Sequence, residues 1–355
     1  MIGQYYYQSK NGAGGRLRIT PGFESFDRNF YRRGAVSGGE FAPPALLYDR
    51  GGGFYFVGRE ELVPDGDDVL TLRHGFLFPE ELFADGKGTF GAKLYRFFDI
   101  ADFDCTPEGF AREEAPPPVK RLRVAAGASD FLRPEDVFRR GREHSRFVRL
   151  LLYAAMMAVT DDFSLVFLIP PAKEESYHRQ AALMVKSLFS LLPWELREEL
   201  TFHTCVDDRD ALGQTKISVT PLPKDRMPRS NRLFFFDFSR FKVSPDLVIE
   251  QKTRGTLTPY LLYQIWSNRD EKALSALFYI FHHNRALLRS APLTETRIDA
   301  LTCFFLLTEV GESYRADLGD ELERISKGTA REIMLFLAGH VTNKDFLRLR
   351  EMLDV

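Results

Sequence analysis

The order of apolar and polar positions divides the chain into stretches with different periods, and the densest signal lies between Asp162 and Pro221. Phe163–Pro170 (FSLVFLIP) is an apolar run of strand length. In Ser176–Leu192 the residues Ala181, Met184, Val185, Leu188, Leu191 and Leu192 recur at steps of three and four. That spacing predicts a helix with one apolar stripe, and Lys173, Glu174, Glu175, Arg179 and Lys186 fall mostly off it. Pro193 ends the helix, Trp194–Glu199 makes a short turn, and Leu200–Cys205 (LTFHTC) and Lys216–Thr220 (KISVT) return as strands. Strand, helix and strand in such close succession predict a parallel crossover.

Upstream, residues 1–60 read as β-rich with glycine punctuation. Gln4–Ser9 and Arg16–Thr20 predict a hairpin whose loop, Asn11-Gly12-Ala13-Gly14-Gly15, supplies residues that tolerate positive φ. Ala45–Asp49 and Phe54–Gly58 repeat the device around Gly51-Gly52-Gly53. Between these hairpins, Gly22–Arg33 predicts a short helix presenting Arg28, Arg32 and Arg33. Val69–Arg73 and Leu94–Phe98 read as further strands, with a helix start at Pro79-Glu80-Glu81-Leu82. Pro116-Pro117-Pro118 removes backbone donors and breaks any regular element, which places a domain boundary there.

Beyond that boundary the pattern turns helical. Pro134-Glu135-Asp136 suits a helix start, and Phe147–Val159 (FVRLLLYAAMMAV) is apolar almost throughout, as a buried helix requires. A Pro-, Lys- and Arg-rich loop runs from Pro221 through Asn231, followed by Leu233–Phe238 (LFFFDF) and Leu247–Glu250 (LVIE) as strands. Residues 256–355 read as helices. Thr258 precedes Pro259, Ser267 with Asp270 and Thr329 with Glu332 have capping-box spacing, and Gly328 is placed to end a helix. The apolar residues here, among them Leu261, Ile265, Trp266, Leu277 and Phe281, exceed what one exposed helix tolerates and are expected to be buried. The expectation is an α+β protein with a β-rich domain over 1–118, an α/β domain over 119–255 and an all-helical region over 256–355.

Composition changes little in this picture. Lys and Arg number 48 against 50 Asp and Glu, a formal net charge of -2, so no global charge draws the chain to nucleic acid or an anionic membrane. The 32 Phe and 13 Tyr are accounted for by aromatic cores, with a minority left over as anchors for a partner. Cys105, Cys205 and Cys303 are far apart and odd in number, which suits neither a disulfide framework nor a metal site and points to a reducing, cytoplasmic setting. The start at Met1 lacks a basic stretch followed by an apolar one, and no apolar run reaches bilayer-spanning length. Neither a secretory signal nor a membrane helix is expected.

No established catalytic signature stands in the chain. Gly86-Lys87-Gly88-Thr89 has Glu81 where a phosphate loop needs its first glycine. Gly12-Ala13-Gly14-Gly15 lies between strands and lacks the third glycine of a dinucleotide fingerprint. Gly-x-Ser-x-Gly, paired-histidine zinc and Cys-x-x-Cys motifs are absent, and His282 and His283 point to different faces of a helix. No cofactor and no metal are expected. What remains is His203 in the strand Leu200–Cys205, with Asp207 and Asp208 just past the carboxyl end, where α/β sheets bind ligands. An imidazole beside carboxylates serves acid–base work or holds a cation; the same residues also describe a strand histidine followed by two acids in a solvated turn. Arg73-His74 at a strand end reads the same two ways. Arg139, Arg140, Arg142, Arg146 and Arg149 form the densest basic segment. They suit a phosphate-rich partner or, with Glu135, Asp136 and Glu143 interleaved, a solvated helix face.

Two segments carry a family resemblance. Gln4-Tyr5-Tyr6-Tyr7-Gln8-Ser9, with its glycine loop and the β-rich region after it, resembles the amino-terminal domain of bacterial GTPase-associated proteins. Ser187–Thr204 (SLFSLLPWELREELTFHT), with Leu192-Pro193 and the strand Thr201-Phe202-His203-Thr204, is similar to their middle domain. The likeness covers residues 1–250, and the helical tail departs from the family's longer carboxy-terminal region. It implies a non-catalytic cytosolic adaptor or scaffold of a multi-gene conflict or defence system, bridging a GTPase or ATPase partner and an effector. It carries over no catalytic residue. Protein partners are expected, nucleic acid and membrane are not, and the oligomeric state stays open. The alternative is an enzyme with an α/β site around His203, Asp207 and Asp208, in which imidazole and carboxylate lie within hydrogen-bond reach. A nucleic-acid interface along Arg139–Arg149 is the third reading.

Overall fold

The computed structural model describes residues 1–11, 13–26, 44–83, 98–123, 142–171, 173–245, 247, 251 and 255–355. Most of the expected helix over 22–33, with Arg28, Arg32 and Arg33, lies outside those residues. So do most of the expected strands over 94–98 and 247–250, the glycines at 86 and 88, and the helix start at Pro134.

The chain opens with β1 (Gly3–Lys10) and β2 (Ala13–Ile19), an antiparallel pair that sets Tyr5 opposite Ile19. A meander follows: β3 (Ala45–Gly51), β4 (Phe54–Asp65) and β5 (Asp68–Pro79), the last two joined by a tight turn with Gly66 at φ +64°. The helix start expected at Pro79 is a single 3₁₀ turn, Glu80–Phe83, on the end of β5. Next come α1 (Pro107–Ala111) and the long α2 (Arg142–Thr160). The α/β stretch runs β6 (Ser164–Leu168), α3 (Glu174–Leu191), α4 (Trp194–Arg197), β7 (Phe202–His203), β8 (Ile217–Thr220) and β9 (Leu233–Asp237). After β10 (Lys242–Ser244) the chain is helical: α5 (Thr258–Ser267), α6 (Glu271–His283), α7 (Arg285–Arg289) and α8 (Glu295–Leu306). The last four helices are α9 (Glu309–Glu312), α10 (Gly319–Glu323), α11 (Lys327–Leu337) and α12 (Asn343–Met352). The fold is α+β, as expected.

Packing separates two units. The first is Met1–Leu132, Ser164–Ser187 and Glu198–Arg240; the second is Arg133–Phe163, Leu188–Arg197 and Phe241–Val355. In the first, β1 to β9 lie in one sheet in the order β9-β6-β8-β7-β3-β4-β5-β1-β2. The four strands from β9 to β7 are mutually parallel and the other five antiparallel. The change of direction occurs at β3 and β7, with Leu47 opposite His203 and Tyr48 opposite Phe202. Residues 201–204 explain how so short a strand holds there. Thr201 Oγ1 accepts from Lys216 N at 3.0 Å, Thr204 Oγ1 accepts from Leu46 N at 2.7 Å, and Thr204 N donates to Leu46 O at 2.9 Å. Two hydroxyls thus satisfy backbone donors that a two-residue strand leaves over, and Phe202 stacks on Tyr48 with ring centroids 5.7 Å apart.

Alternation along β1 buries Tyr5 and Tyr7 on one face, where they join Phe23, Phe26, Leu47, Phe56 and Leu77 in an aromatic core. The Phe56 ring lies over Gly58 and Gly75, which are cross-strand partners; a Cβ on Gly75 would sit 2.3 Å from that ring and 2.9 Å from the Val57 carbonyl oxygen. Strands β6 and β8 are buried at every position, the signature of parallel strands covered on both faces. Lys186, expected off the stripe of α3, is buried as well, because Asp99 meets its Nζ at 2.7 Å and supplies the counter-charge.

The second unit is helical. Phe147–Ala158 of α2 is buried apart from the half-buried Arg149. Asp299 on α8 caps the start of α5 from within the core: its carboxylate accepts from Leu257 N at 3.0 Å, Thr258 N at 2.9 Å and Thr258 Oγ1 at 2.6 Å. Asp270, Thr294, Ser326 and Thr342 each cap a helix by accepting from the backbone N–H three residues on. Two of these caps shift the expected boundaries. Ser267 ends α5 and Asp270 itself caps α6, since the chain turns at Arg269 with φ +56°. Ser326 rather than Thr329 caps α11, which leaves Gly328 inside the helix. Among the described residues, no helix is long and apolar enough to cross a membrane.

Gly75→Ala is expected to push Phe56 out of its place and to cost about 1–3 kcal/mol, read as a lower urea midpoint. A variant as stable as the parent would show that the ring has room to move.

Candidate functional site

The sheet brings Arg73 and His203 together, and it does so through a residue the sequence did not single out. Glu60 on β4 is the cross-strand partner of Arg73 on β5. Arg73 Nε donates to Glu60 Oε2 at 2.8 Å, and Arg73 Nη2 donates to the same oxygen. The other carboxylate oxygen lies 3.8 Å from His203 Nε2 on β7. The three side chains are 0%, 1% and 2% exposed, respectively, for Arg73, Glu60 and His203. Burial, reinforced by Arg73 and opposed by Glu60, pushes the His203 imidazole down to about 4, so it is neutral near pH 7. The carboxylate is thus engaged by a guanidinium and lies beside a neutral imidazole, with all three side chains enclosed among β4, β5 and β7.

His74 follows Arg73 on the strand and so projects from the opposite face. Its ring stacks on Tyr6 at 4.1 Å, and Nδ1 accepts from Asp104 N at 2.8 Å, which places the proton of the neutral ring on Nε2. Burial pushes it, too, down to about 4. Asp208 caps the 3₁₀ turn Arg209–Ala211 by accepting from Asp210 N at 2.9 Å, and Asp207 is half-buried and helps raise Tyr177 and Cys205. The carboxylate that faces His203 is therefore Glu60, and no contact joins His203 to Asp207 or Asp208. All three cysteines are buried with their thiols pushed up chiefly by burial, so none is poised as a nucleophile.

Of the basic segment, Arg139 and Arg140 lie outside the described residues, and Arg142 opens α2. Arg146 is exposed. Arg149, one helical turn on, packs its guanidinium 5.4 Å from the Tyr260 ring centroid and 5.6 Å from that of Tyr263, a cation–π contact that fastens α2 to α5. Elsewhere in the second unit, the Leu-Pro signature segment is built into the helices: Glu195 on α4 lies 3.4 Å from His282 on α6, and Arg197 lies over the Phe278 ring at 5.1 Å.

An open feature of the first unit is a cleft of about 320 Å³ at the carboxyl ends of β6, β8 and β9. Its position follows from topology. The chain leaves β6 for β7, two places away on one side, and later leaves β8 for β9 on the other side of β6. That reversal opens a crevice of the kind in which parallel sheets bind ligands. Leu168, Ile169, Pro170 and Pro171 line one wall, Pro221, Leu222, Pro223 and Lys224 a second, and Asp237, Ser239 and Arg240 a third. Beneath it, Leu222 packs on the cluster formed by Val166, Leu168, Val206, Leu233 and Phe235. Asp237 is committed to its own turn, with Oδ1 accepting from Ser239 N at 3.0 Å, Ser239 Oγ at 2.6 Å and Arg240 N at 3.1 Å. Neither His203 nor Arg73 lines this cleft.

Among the described residues, no group of three or more His, Cys, Asp or Glu side chains is placed to hold a metal ion. Residues 137–240 match the family model described as GTPase-associated protein 1, middle domain. That span includes β6 to β9 and every residue lining the cleft. No curated protein matches the chain.

The two enclosed histidines set a pH dependence. The unfolded chain binds their protons near 6.5 and the folded chain only near 4, so between those values the unfolded state holds more protons. Their stabilisation is present above pH 6.5 and is lost as pH falls toward 4, by up to about 3 kcal/mol per histidine. The urea midpoint is expected to fall across this window, and His203→Phe to lessen the fall. A variant whose midpoint falls as steeply as the parent's would remove His203 from the account.

Proposed function

We propose that this chain is a non-catalytic adaptor or scaffold that holds a GTPase or ATPase partner and couples it to an effector in a bacterial conflict or defence system, in the cytoplasm. The observation that carries the reading is the match of residues 137–240 to the middle domain of GTPase-associated protein 1. The fate of the chemistry-bearing residues supports it. His203 is enclosed beside a carboxylate that Arg73 already engages, and Asp208 caps a turn. Of the basic segment, Arg149 is engaged by two tyrosines.

The reading is tested by tagging the full chain in its native host and identifying what copurifies by mass spectrometry. A stoichiometric nucleotide-hydrolysing protein is expected. Recovery of the chain alone, under conditions that keep complexes intact, would overturn it.

A further inference from the structure

We propose that the cleft at the carboxyl ends of β6, β8 and β9 docks an acidic, extended peptide segment anchored by an aliphatic or proline side chain. The argument begins with what the cleft lacks. Phosphate sites at strand ends depend on free backbone N–H groups aimed at the anion. Here Pro170, Pro171, Pro221 and Pro223 have none. Ile169 N already donates to Thr220 O at 3.1 Å, Leu222 N to Thr220 Oγ1 at 3.1 Å, and Ser239 N and Arg240 N to Asp237. Prolines keep their carbonyl oxygens, that of Pro223 accepting from Arg226 N at 3.0 Å, so the backbone of these walls offers acceptors and few donors, and the donors come from the side chains of Lys224 and Arg240. A phosphate meets the two cationic side chains but no cradle of backbone N–H groups, whereas an extended acidic peptide brings carboxylates to the cations and N–H donors to the carbonyls. No aromatic side chain lines the cleft either, so nucleobases find nothing to stack on.

The remaining features fix the chemistry of the segment. About 320 Å³ admits a few side chains and not a helix, and the lining is mainly leucine, isoleucine and proline. The rim is cationic. Lys224 and Arg240 line the cleft, and Arg226 and Arg229 follow on the same exposed connection, with Asp225 the sole acid between Lys224 and Arg229. Arg240 is 70% exposed and its Nε lies 3.9 Å from Asp237, while Lys224, Arg226 and Arg229 form no ion pair with another described residue. A cationic rim around an apolar floor, on a chain of net charge -2, is complementary to acidic residues flanking an apolar anchor.

The inference rests on the adaptor reading for the origin of the segment, and its test is separable from that reading. A random dodecapeptide library is panned against the full chain, and an enriched peptide is titrated by fluorescence anisotropy. The expected pool pairs Asp or Glu with Leu, Ile or Pro, and the expected affinity falls at least about tenfold in Lys224→Glu/Arg240→Glu and again as salt rises. Both positions are at the rim, and an unchanged thermal midpoint verifies that the double variant folds; Leu222→Gln tests the floor in parallel. Enrichment of basic or neutral sequences, no enrichment, or an affinity that these substitutions leave unchanged would overturn the proposal. If a partner copurifies equally with parent and double variant, the cleft proposal fails and the adaptor stands. If library peptides bind as described while the native host yields no partner, the reverse holds.

Discussion

The first unit depends on one short seam. Strand β7 has two residues, yet among the described strands it is the one that pairs the antiparallel set β3, β4, β5, β1 and β2 with the parallel set β8, β6 and β9. A pairing of that length offers few ladder bonds, so the flanking threonines take over the unsatisfied donors: Thr204 at Leu46 and Thr201 at Lys216. The Thr-Phe-His-Thr sequence is thereby explained position by position, with the hydroxyls as ladder substitutes, Phe202 as the stacking partner of Tyr48, and His203 against Glu60.

The seam also decides where chemistry is available. It draws His203 into the Glu60–Arg73 pair, where an isolated buried charge would be costly and a paired one is tolerated. The face open to a ligand lies instead at the carboxyl ends of the parallel strands, where the connections change direction across β6. Prolines line that opening, so it has the position of a ligand site at a parallel sheet and lacks much of the backbone N–H cradle that a phosphate uses. Enclosed polar groups and an apolar cleft with a cationic rim are the features from which the proposals of an adaptor and a docked peptide are argued.

Much of this was legible in local patterns. The glycine-rich loop between Gln4–Ser9 and Arg16–Thr20 marks the β1–β2 hairpin, and the run at Phe163–Pro170 marks β6. The β4–β5 register was not read, although its signal was present. Asp65-Gly66 is a turn sequence, and pairing the flanking residues outward from it sets Glu60 opposite Arg73. Sequence adjacency sets His203 beside Asp207 and Asp208, whereas Glu60, 3.8 Å from its Nε2, lies far away in sequence and close across the sheet. The cleft had no local signature. Ile169 and Pro170 read as the end of a strand and Pro221-Leu222-Pro223 as the start of a loop, and their convergence depends on the strand order β9-β6-β8, which no single segment encodes.

If the seam holds the first unit together, its two sides must lose structure as one. Hydrogen exchange on the full chain, comparing the parent with Thr204→Val, measures this directly. Removing the hydroxyl leaves Leu46 N without its acceptor, at a cost of about 1–3 kcal/mol. The account requires peptides covering β3 and β7 to lose protection together, with β4 and β8 following. Loss confined to the β7 peptide, with β3 as protected as in the parent, would contradict it.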